Sequence, residues 1–186
     1  TESQATETAQ LFSGWALSHG RVDLALGFLW EWPDRIAAQT LYDDGFRVAG
    51  RREALPDAPR LTLASYLAAE HILVSPGGDL RGVVDTALEA LGHSRRVTIA
   101  LSAFLPALAA AAATGALVTL PARVAAAFAG GFGLVTAPPP LAIRRFPISA
   151  FWHRRDDRDP RLSWLRCQLT EIVATLPAVE QGAAMP

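Results

Sequence analysis

Lysine is absent from the 186-residue sequence, and all 17 basic residues are arginine. They are balanced by 18 acidic residues, so the formal net charge is -1 and the chain lacks the basic excess of a domain that grips nucleic acid by itself. The single cysteine, Cys167, excludes an internal disulfide and a cysteine-based zinc site. Because residues 1–10 are polar and show no basic-then-apolar leader, we expect a cytoplasmic protein.

The motifs of common catalytic and metal sites are also missing. There is no G-x-S-x-G elbow, no H-E-x-x-H spacing among the four histidines and, without lysine, no P-loop. Cys167 lies in a predicted helix and has no neighbour that would activate a thiol. Asp43 and Asp44 are adjacent on a predicted strand, where neighbours point to opposite faces and cannot readily act on one group. The sequence therefore predicts no enzyme, no metal site and no cofactor.

The uncharged residues 97–122 are as long as a membrane-spanning helix. Alanine contributes little to their apolarity, however, and polar residues, a glycine and two prolines interrupt the stretch. We predict several short buried elements here and no membrane span.

Strand and helix patterns alternate along the chain. The predicted strands are residues 22–27, 39–50, 72–74, 97–101, 117–120 and 146–153. The predicted helices are residues 5–19, a short one capped by Thr62, one that ends at Gly92, one from about Leu105 to Gly115, one that Pro121 opens and one that starts at Asp159 and Pro160. This alternation predicts an α/β protein with a largely parallel sheet. Two loops, near residues 33–38 and 138–145, are interpreted as paired crossings between two lobes.

The stretch of residues 71–92 joins a short apolar strand, a glycine-bearing loop and an amphipathic helix. Loop amides and first-turn amides of such a helix point at one spot, which makes a cradle for an anion. The loop, with Ser75, Gly77 and Gly78, serves either structure alone or a small anion such as a carboxylate. Arg81 favours the carboxylate, because its guanidinium can donate charge-assisted hydrogen bonds.

An ordered set of short segments resembles the effector-binding domain of LysR-type transcriptional regulators, and most closely the branch that senses aromatic compounds. The matching segments are residues 22–27 (VDLALG), 41–42 (LY), 71–74 (HILV), 82–92 (GVVDTALEALG), 95–97 (RRV), 116–121 (ALVTLP), 132–134 (FGL), 151–153 (FWH), 159–160 (DP) and 164–166 (WLR).

The resemblance implies two Rossmann-like subdomains joined by two crossovers, in the periplasmic-binding-protein-like (type 2) fold. Subdomain I would comprise residues 1–37 and 141–186, and subdomain II residues 38–140. A small-molecule effector would bind in the cleft between them and control transcription through a conformational change.

The same resemblance implies which residues contact the effector. Together with the glycine loop, the candidates are Asp44, Ser75, Gly77, Gly78, Arg81, Ser102, Phe104 and Thr119, with Ala103 beside them. Sensors of aromatic acids in this branch tend to carry histidine at the positions of Asp44 and Arg81. The aspartate and arginine found here leave open a salicylate-like effector or a more polar one.

One departure from the family concerns the parts that come first. The winged helix-turn-helix and the usual opening of subdomain I, a strand, a helix and a strand, have no counterpart in this sequence. We therefore expect a piece of a longer regulator, or an incomplete subdomain I whose sheet has an exposed edge. The expected partners are the effector, other copies in a dimer or tetramer, and DNA only through a domain outside this chain. A solute-binding protein of the same two-lobe fold is the alternative, and an α/β enzyme is the weaker one.

Overall fold

The computed structural model of the protein describes residues 16–29, 31–56, 58–75 and 81–179. The chain divides into two compact units. The large unit is Gly45–Arg145, and the small unit combines the segment that ends at Asp44 with Phe146–Ala178. The sequence places the crossings at residues 37/38 and 140/141, whereas the units change at residues 44/45 and 145/146. Residues 38–44 lie in the small unit because they form one strand of its sheet.

The elements are numbered in chain order. The strands are β1 Ala25–Gly27, β2 Ile36–Asp44, β3 Phe46–Gly50, β4 Glu70–Val74, β5 Arg96–Leu101, β6 Leu117–Pro121, β7 Val135–Ala137 and β8 Phe146–His153. The helices are α1 Leu63–Ala68, α2 Val83–Ala90, α3 Phe104–Thr114, α4 Ala122–Phe128 and α5 Pro160–Thr175. Two short 3-10 turns cover Ala129–Phe132 and Arg154–Asp156.

The small unit is a three-stranded sheet in the order β1-β8-β2, and both pairings are antiparallel. The predicted strand 146–153 is confirmed. So is the start of the last helix, where the Asp159 side chain accepts a hydrogen bond from the amide of Arg161 and Pro160 occupies the first turn. Most of the predicted helix 5–19 lies outside the described residues, which show helix at residues 16–18.

The large unit contains a five-stranded sheet in the order β5-β4-β6-β3-β7. Strand β4 runs parallel to β5 and β6, whereas β3 runs antiparallel to β6 and β7. The α/β prediction is confirmed, but the prediction of a largely parallel sheet is wrong. Four of the six strand pairings in the described part of the chain are antiparallel. The antiparallel pairs involve the strands that lie next to the crossings between units.

The predicted strand 39–50 is two strands in the structure. Strand β2 ends at Asp44, Gly45 interrupts the ladder, and β3 continues in the other sheet. The carbonyl of Gly45 accepts a hydrogen bond from the amide of Ala122 at 2.9 Å, which attaches the break to the start of α4. The predicted loop near residues 33–38 is wrong at its end, because β2 begins at Ile36.

Both faces of the large sheet are buried, and successive residues of β6 show it most clearly. Leu117 packs with Tyr66 and Leu88 under α1 and α2, while Val118 packs with Leu108 under α3. This alternation follows from the two-residue period of a strand. The alanines of α3 that face the sheet are fully buried, so the uncharged stretch forms core elements. No helix within the described residues has the length and apolarity to cross a membrane.

The end of α3 offers a test of its boundary. Gly115 has a φ of +82°, a conformation in which an L side chain costs about 1–2 kcal/mol. We expect Gly115→Ala to lower the free energy of unfolding in urea by about that amount. Gly130→Ala is the control, because its added methyl group meets nothing within 4 Å and its φ is not positive. Equal effects of the two substitutions would contradict the left-handed cap.

Candidate functional site

Two predicted site residues follow the parallel strands β4 and β5. Because parallel strands end at the same edge of a sheet, Ser75 and Ser102 come to lie together. The amide of Ser75 donates to the carbonyl of Leu101 at 2.8 Å, and Ser102 is the next residue. Phe104 then starts α3 with its side chain 37% exposed. Ser75, Ser102 and Phe104 therefore all lie at this edge of the sheet, which is called the carboxyl edge.

The start of α2 packs closely on β4. A methyl group on Gly82 would lie 3.1 Å from Cδ1 of Leu73, a spacing that favours glycine at this position. The amide of Gly82 donates to Oδ2 of Asp85 at 2.8 Å, so this carboxylate satisfies a backbone donor at the helix start.

A buried polar network extends from Asp85 across the face of the large sheet that α1 and α2 cover. Arg95 binds Asp85 with two hydrogen bonds, from Nε to Oδ1 at 2.8 Å and from Nη2 to Oδ2 at 2.9 Å. Its remaining Nη1 donates to the hydroxyl of Tyr66 at 3.2 Å, and that hydroxyl lies 2.8 Å from Oγ1 of Thr119. The Arg95 side chain is 1% exposed. The network thus links a predicted effector residue to the start of α2.

Neighbouring groups set the protonation states of Arg95 and Tyr66 in this network. Burial is the largest single influence on the pKa of the Arg95 guanidinium and lowers it, but the hydrogen bonds and charge interactions with Asp85 and Tyr66 together outweigh burial and raise that pKa. Burial raises the pKa of the Tyr66 phenol, and the positive charge of Arg95 opposes this only in part. Arg95 is therefore charged and Tyr66 neutral at physiological pH.

His71 packs against the same network. Its ring packs against that of Tyr66 at an interplanar angle of 59°, with centroids 4.4 Å apart, and its Nε2 donates to the Tyr66 carbonyl at 2.7 Å. Its Nδ1 is buried and has no partner among the described residues. Burial, assisted by the charge of Arg95 and opposed by the Tyr66 carbonyl and Asp85, lowers the pKa of His71 from 6.5 to about 4.

The other predicted site residues belong to other elements of the chain or lie outside the described residues. Gly77 and Gly78 lie outside the described residues. Asp44 is buried at the last position of β2, opposite Phe146, in the small unit. Arg81 pairs with Glu89 along the outer surface of α2, and its side chain is 72% exposed.

The described part of the chain has a small cavity beside α2 and a larger one in the small unit. One of about 270 Å³ lies beside α2 and is lined by Arg81, Asp85, Glu89, Ser94, Arg95 and Val97. A larger one, of about 630 Å³, lies in the small unit, and its lining residues Asp23, Pro160, Arg161, Leu162, Trp164 and Leu165 include none of the predicted site residues. Its size alone carries no chemistry, so the candidate site is the carboxyl edge with the network beneath it.

Sequence reasoning did not identify Tyr66, Asp85 and Arg95 as parts of a site. Tyr66 occupies an apolar helical position, and Arg95 precedes a strand next to a second arginine. The one available signal was Asp85, three residues after Gly82, where a carboxylate can accept from a helix-start amide. Nothing in the sequence shows that this carboxylate also binds Arg95.

Two acidic residues of α2 allow a matched test of the buried pair. Asp85→Asn removes the charge that compensates buried Arg95, and we expect a loss of about 3–5 kcal/mol in unfolding free energy. Glu89→Gln breaks an ion pair whose side chains are 72% and 49% exposed, so we expect a loss below about 1 kcal/mol. Urea denaturation of both variants measures the difference, and comparable losses would contradict the assignment of Arg95 as a buried, compensated charge.

The pKa of His71, lowered by burial, predicts a pH dependence of stability. Between pH 6.5 and about 4 the unfolded chain binds a proton at this residue that the folded chain does not bind. Stability is therefore fully present above pH 6.5 and falls as the pH drops to about 4, by about 3 kcal/mol.

Urea denaturation at several pH values checks this dependence. We expect His71→Gln to flatten the curve between pH 6.5 and 4. His93→Gln, which changes an exposed histidine, is the control and should leave the slope unchanged. Parallel curves for parent and His71→Gln would contradict the role given to His71.

Comparison with known proteins identifies the family. Residues 7–174 match the model of the LysR substrate-binding domain. The transcriptional regulator LinR of Sphingobium indicum is 34% identical over 161 residues, which are 86% of this chain and 53% of LinR. The chain thus spans about half the length of the curated relatives it matches.

Solved structures agree with this match. The regulatory domain of MexT, a transcriptional activator in Pseudomonas aeruginosa, is 30% identical with a TM-score of 0.75, over 86% of this chain and 76% of that one. A probable transcriptional regulator from the same organism is 33% identical with a TM-score of 0.75, over 84% of this chain and 53% of that one. The two-subdomain α/β fold is therefore confirmed, and the relatives are named as regulators rather than enzymes. The chain belongs to the LysR substrate-binding domain family, the effector-binding part of LysR-type transcriptional regulators.

Proposed function

We propose that this domain binds a small effector that carries an acceptor group, such as an aromatic carboxylate, at the carboxyl edge of β4 and β5. The observation that carries the proposal is the uncapped start of α3 at this edge. Helix α3 starts at this edge behind Ala103, whose side chain cannot cap it, and no side chain of the described residues does so. Amides of a helix start favour an anion, through their unpaired N–H groups and the helix dipole.

The side chains around α3 fit such a ligand. Ser75 and Ser102 supply hydroxyls at the same edge. Thr119 of β6, whose hydroxyl lies on the face that α1 and α2 cover, is proposed as a third on the strength of the resemblance. Phe104 provides an apolar surface at the helix start, where a ring can pack beside the amides that bind its acid group. A few convergent polar groups beside an aromatic face are typical of small-molecule sites.

Arg81 enters the proposal as a second, movable charge. In the structure its guanidinium pairs with Glu89 at an exposed position, and such surface pairs are worth about 0–1 kcal/mol. A ligand carboxylate can therefore compete with Glu89 for this guanidinium at small cost. The glycine loop with Gly77 and Gly78, and Asp44 of the small unit, stay proposed contacts on the strength of the resemblance.

The regulatory consequence depends on a longer protein. We propose that other copies of the chain form a dimer or tetramer in the cytoplasm and that a helix-turn-helix segment outside this chain binds DNA. The effector can shift such a regulator between two states only by as much as its affinities for the two states differ.

A thermal-shift screen of aromatic acids, phenols and small metabolites tests the proposed ligand class. A ligand at 100 times its Kd stabilises the folded domain by about 2.7 kcal/mol, which raises the melting temperature by several degrees. We expect aromatic carboxylates to be the stabilising class. A screen in which only cationic or purely apolar compounds stabilise the domain would contradict the proposal.

Two arginine variants test the part given to Arg81. Arg81→Ala should weaken binding of a stabilising carboxylate about tenfold or more, because a charge-assisted hydrogen bond is lost, and leave the ligand-free melting temperature nearly unchanged. Arg96→Ala is the matched control, since Arg96 is 74% exposed and also forms a surface pair, with Glu70. Equal ligand-induced stabilisation in Arg81→Ala and the parent would remove Arg81 from the site.

A further inference from the structure

The hydroxyl proton of Tyr66 has a single direction available to it. The Tyr66 side chain is fully buried, and within the described residues its hydroxyl contacts two polar atoms, Nη1 of Arg95 at 3.2 Å and Oγ1 of Thr119 at 2.8 Å. A guanidinium nitrogen only donates. The hydroxyl oxygen of Tyr66 therefore accepts from Arg95, and Thr119 is the acceptor that remains for its proton.

The alternative arrangement leaves a buried donor without a partner. If Thr119 donated to Tyr66, the phenolic proton of this fully buried side chain would have no acceptor among the described residues. An unsatisfied buried donor costs about 1–3 kcal/mol. Tyr66 does carry this proton, because burial raises the pKa of its phenol. The hydrogen bonds therefore run in one direction, from Arg95 to Tyr66 and from Tyr66 to Thr119.

This order fixes what Thr119 offers to its surroundings. Its oxygen accepts from Tyr66, so its own hydrogen points elsewhere. The Thr119 side chain is half-buried and makes no other hydrogen bond with a described residue. The Thr119 hydroxyl is thus a donor with a fixed direction. The positive charge of Arg95, where the series of hydrogen bonds begins, strengthens this donor by polarising the bonds between them.

We propose that Thr119 is a specificity-determining donor of the effector site, and that Tyr66 and Arg95 are positioning residues that orient it. The effector atom at Thr119 is then a hydrogen-bond acceptor, such as a carboxylate, carbonyl or phenolate oxygen, and a donor-only group is rejected. The inference rests on the proposed function, because it places Thr119 in the effector site.

Hydroxyl exchange measured by NMR tests the proton order without a ligand. In equal parts of H₂O and D₂O, a slowly exchanging hydroxyl splits the ¹³C signal of the carbon that bears it, and a rapidly exchanging one gives a single averaged line. We expect two lines for Cζ of Tyr66, whose proton is buried and bonded, and one line for Cβ of Thr119. Thr119→Val removes the acceptor and should merge the Tyr66 lines, while Thr119→Ser should keep them split. A split Thr119 signal or an averaged Tyr66 signal in the parent would overturn the inference.

Two probes of equal shape test the specificity. Benzoate presents only acceptors, and benzamidine at neutral pH presents only donors on the same ring. Titration calorimetry should show benzoate binding at least about tenfold more tightly, with that preference reduced in Thr119→Val, where the helix start and Arg81 still favour the acid, and kept in full in Thr119→Ser. An unchanged preference in Thr119→Val would overturn the inference. A preference for benzamidine that depends on Thr119 would overturn the inference. Binding of neither probe counts against the proposed function, while the exchange experiment still decides the proton order.

Discussion

The buried pair of Arg95 and Asp85 is the interaction on which the carboxyl edge of the large unit depends. A buried ion pair is tolerated only when hydrogen bonds occupy the remaining polar atoms of both partners. Here the carboxylate also binds the amide of Gly82, and the guanidinium also binds Tyr66. One pair therefore fixes the start of α2, the position of α1 and, through the tyrosine, the hydroxyl of Thr119 on β6. The buried Arg95–Asp85 pair therefore positions the groups that the carboxyl edge can offer to a ligand.

The surrounding core explains why this polar network can be so deep. Leu117 and Val48 pack around it on the same face of the sheet, and Leu88 covers it from α2. These apolar neighbours exclude water, so each hydrogen bond gains strength while an unpaired group becomes costly. His71 shows the cost, since burial holds its pKa well below the ordinary value and its Nδ1 has no partner in the described part of the chain. The other face of the sheet is filled by small residues of α3, which bring that helix close to β4.

Sequence signals within one or two turns predicted the helices and strands well, but they did not predict contacts between residues far apart in the sequence. The capping aspartate and proline at 159–160 and the glycine at 115 mark helix ends through interactions within one turn, and both ends are confirmed. The break at Gly45 was missed because the strand pattern continues across it, and the change of sheet depends on partners about a hundred residues away in β8. The same reason hid Arg95, whose partners Tyr66 and Asp85 lie 29 and 10 residues away. The family resemblance implies Ser75, Ser102 and Thr119 as effector contacts. No sequence signal near Thr119 indicates that a buried arginine orients its hydroxyl.

We propose that the effector binds at the carboxyl edge of β4 and β5, with Thr119 of β6 as a contact. The most direct measurement is a map of backbone amide chemical-shift changes on titration with benzoate. We expect the largest changes on residues 102–104 at the start of α3 and on Thr119. Changes concentrated instead around Asp23 and Trp164, at the large cavity of the small unit, would contradict it.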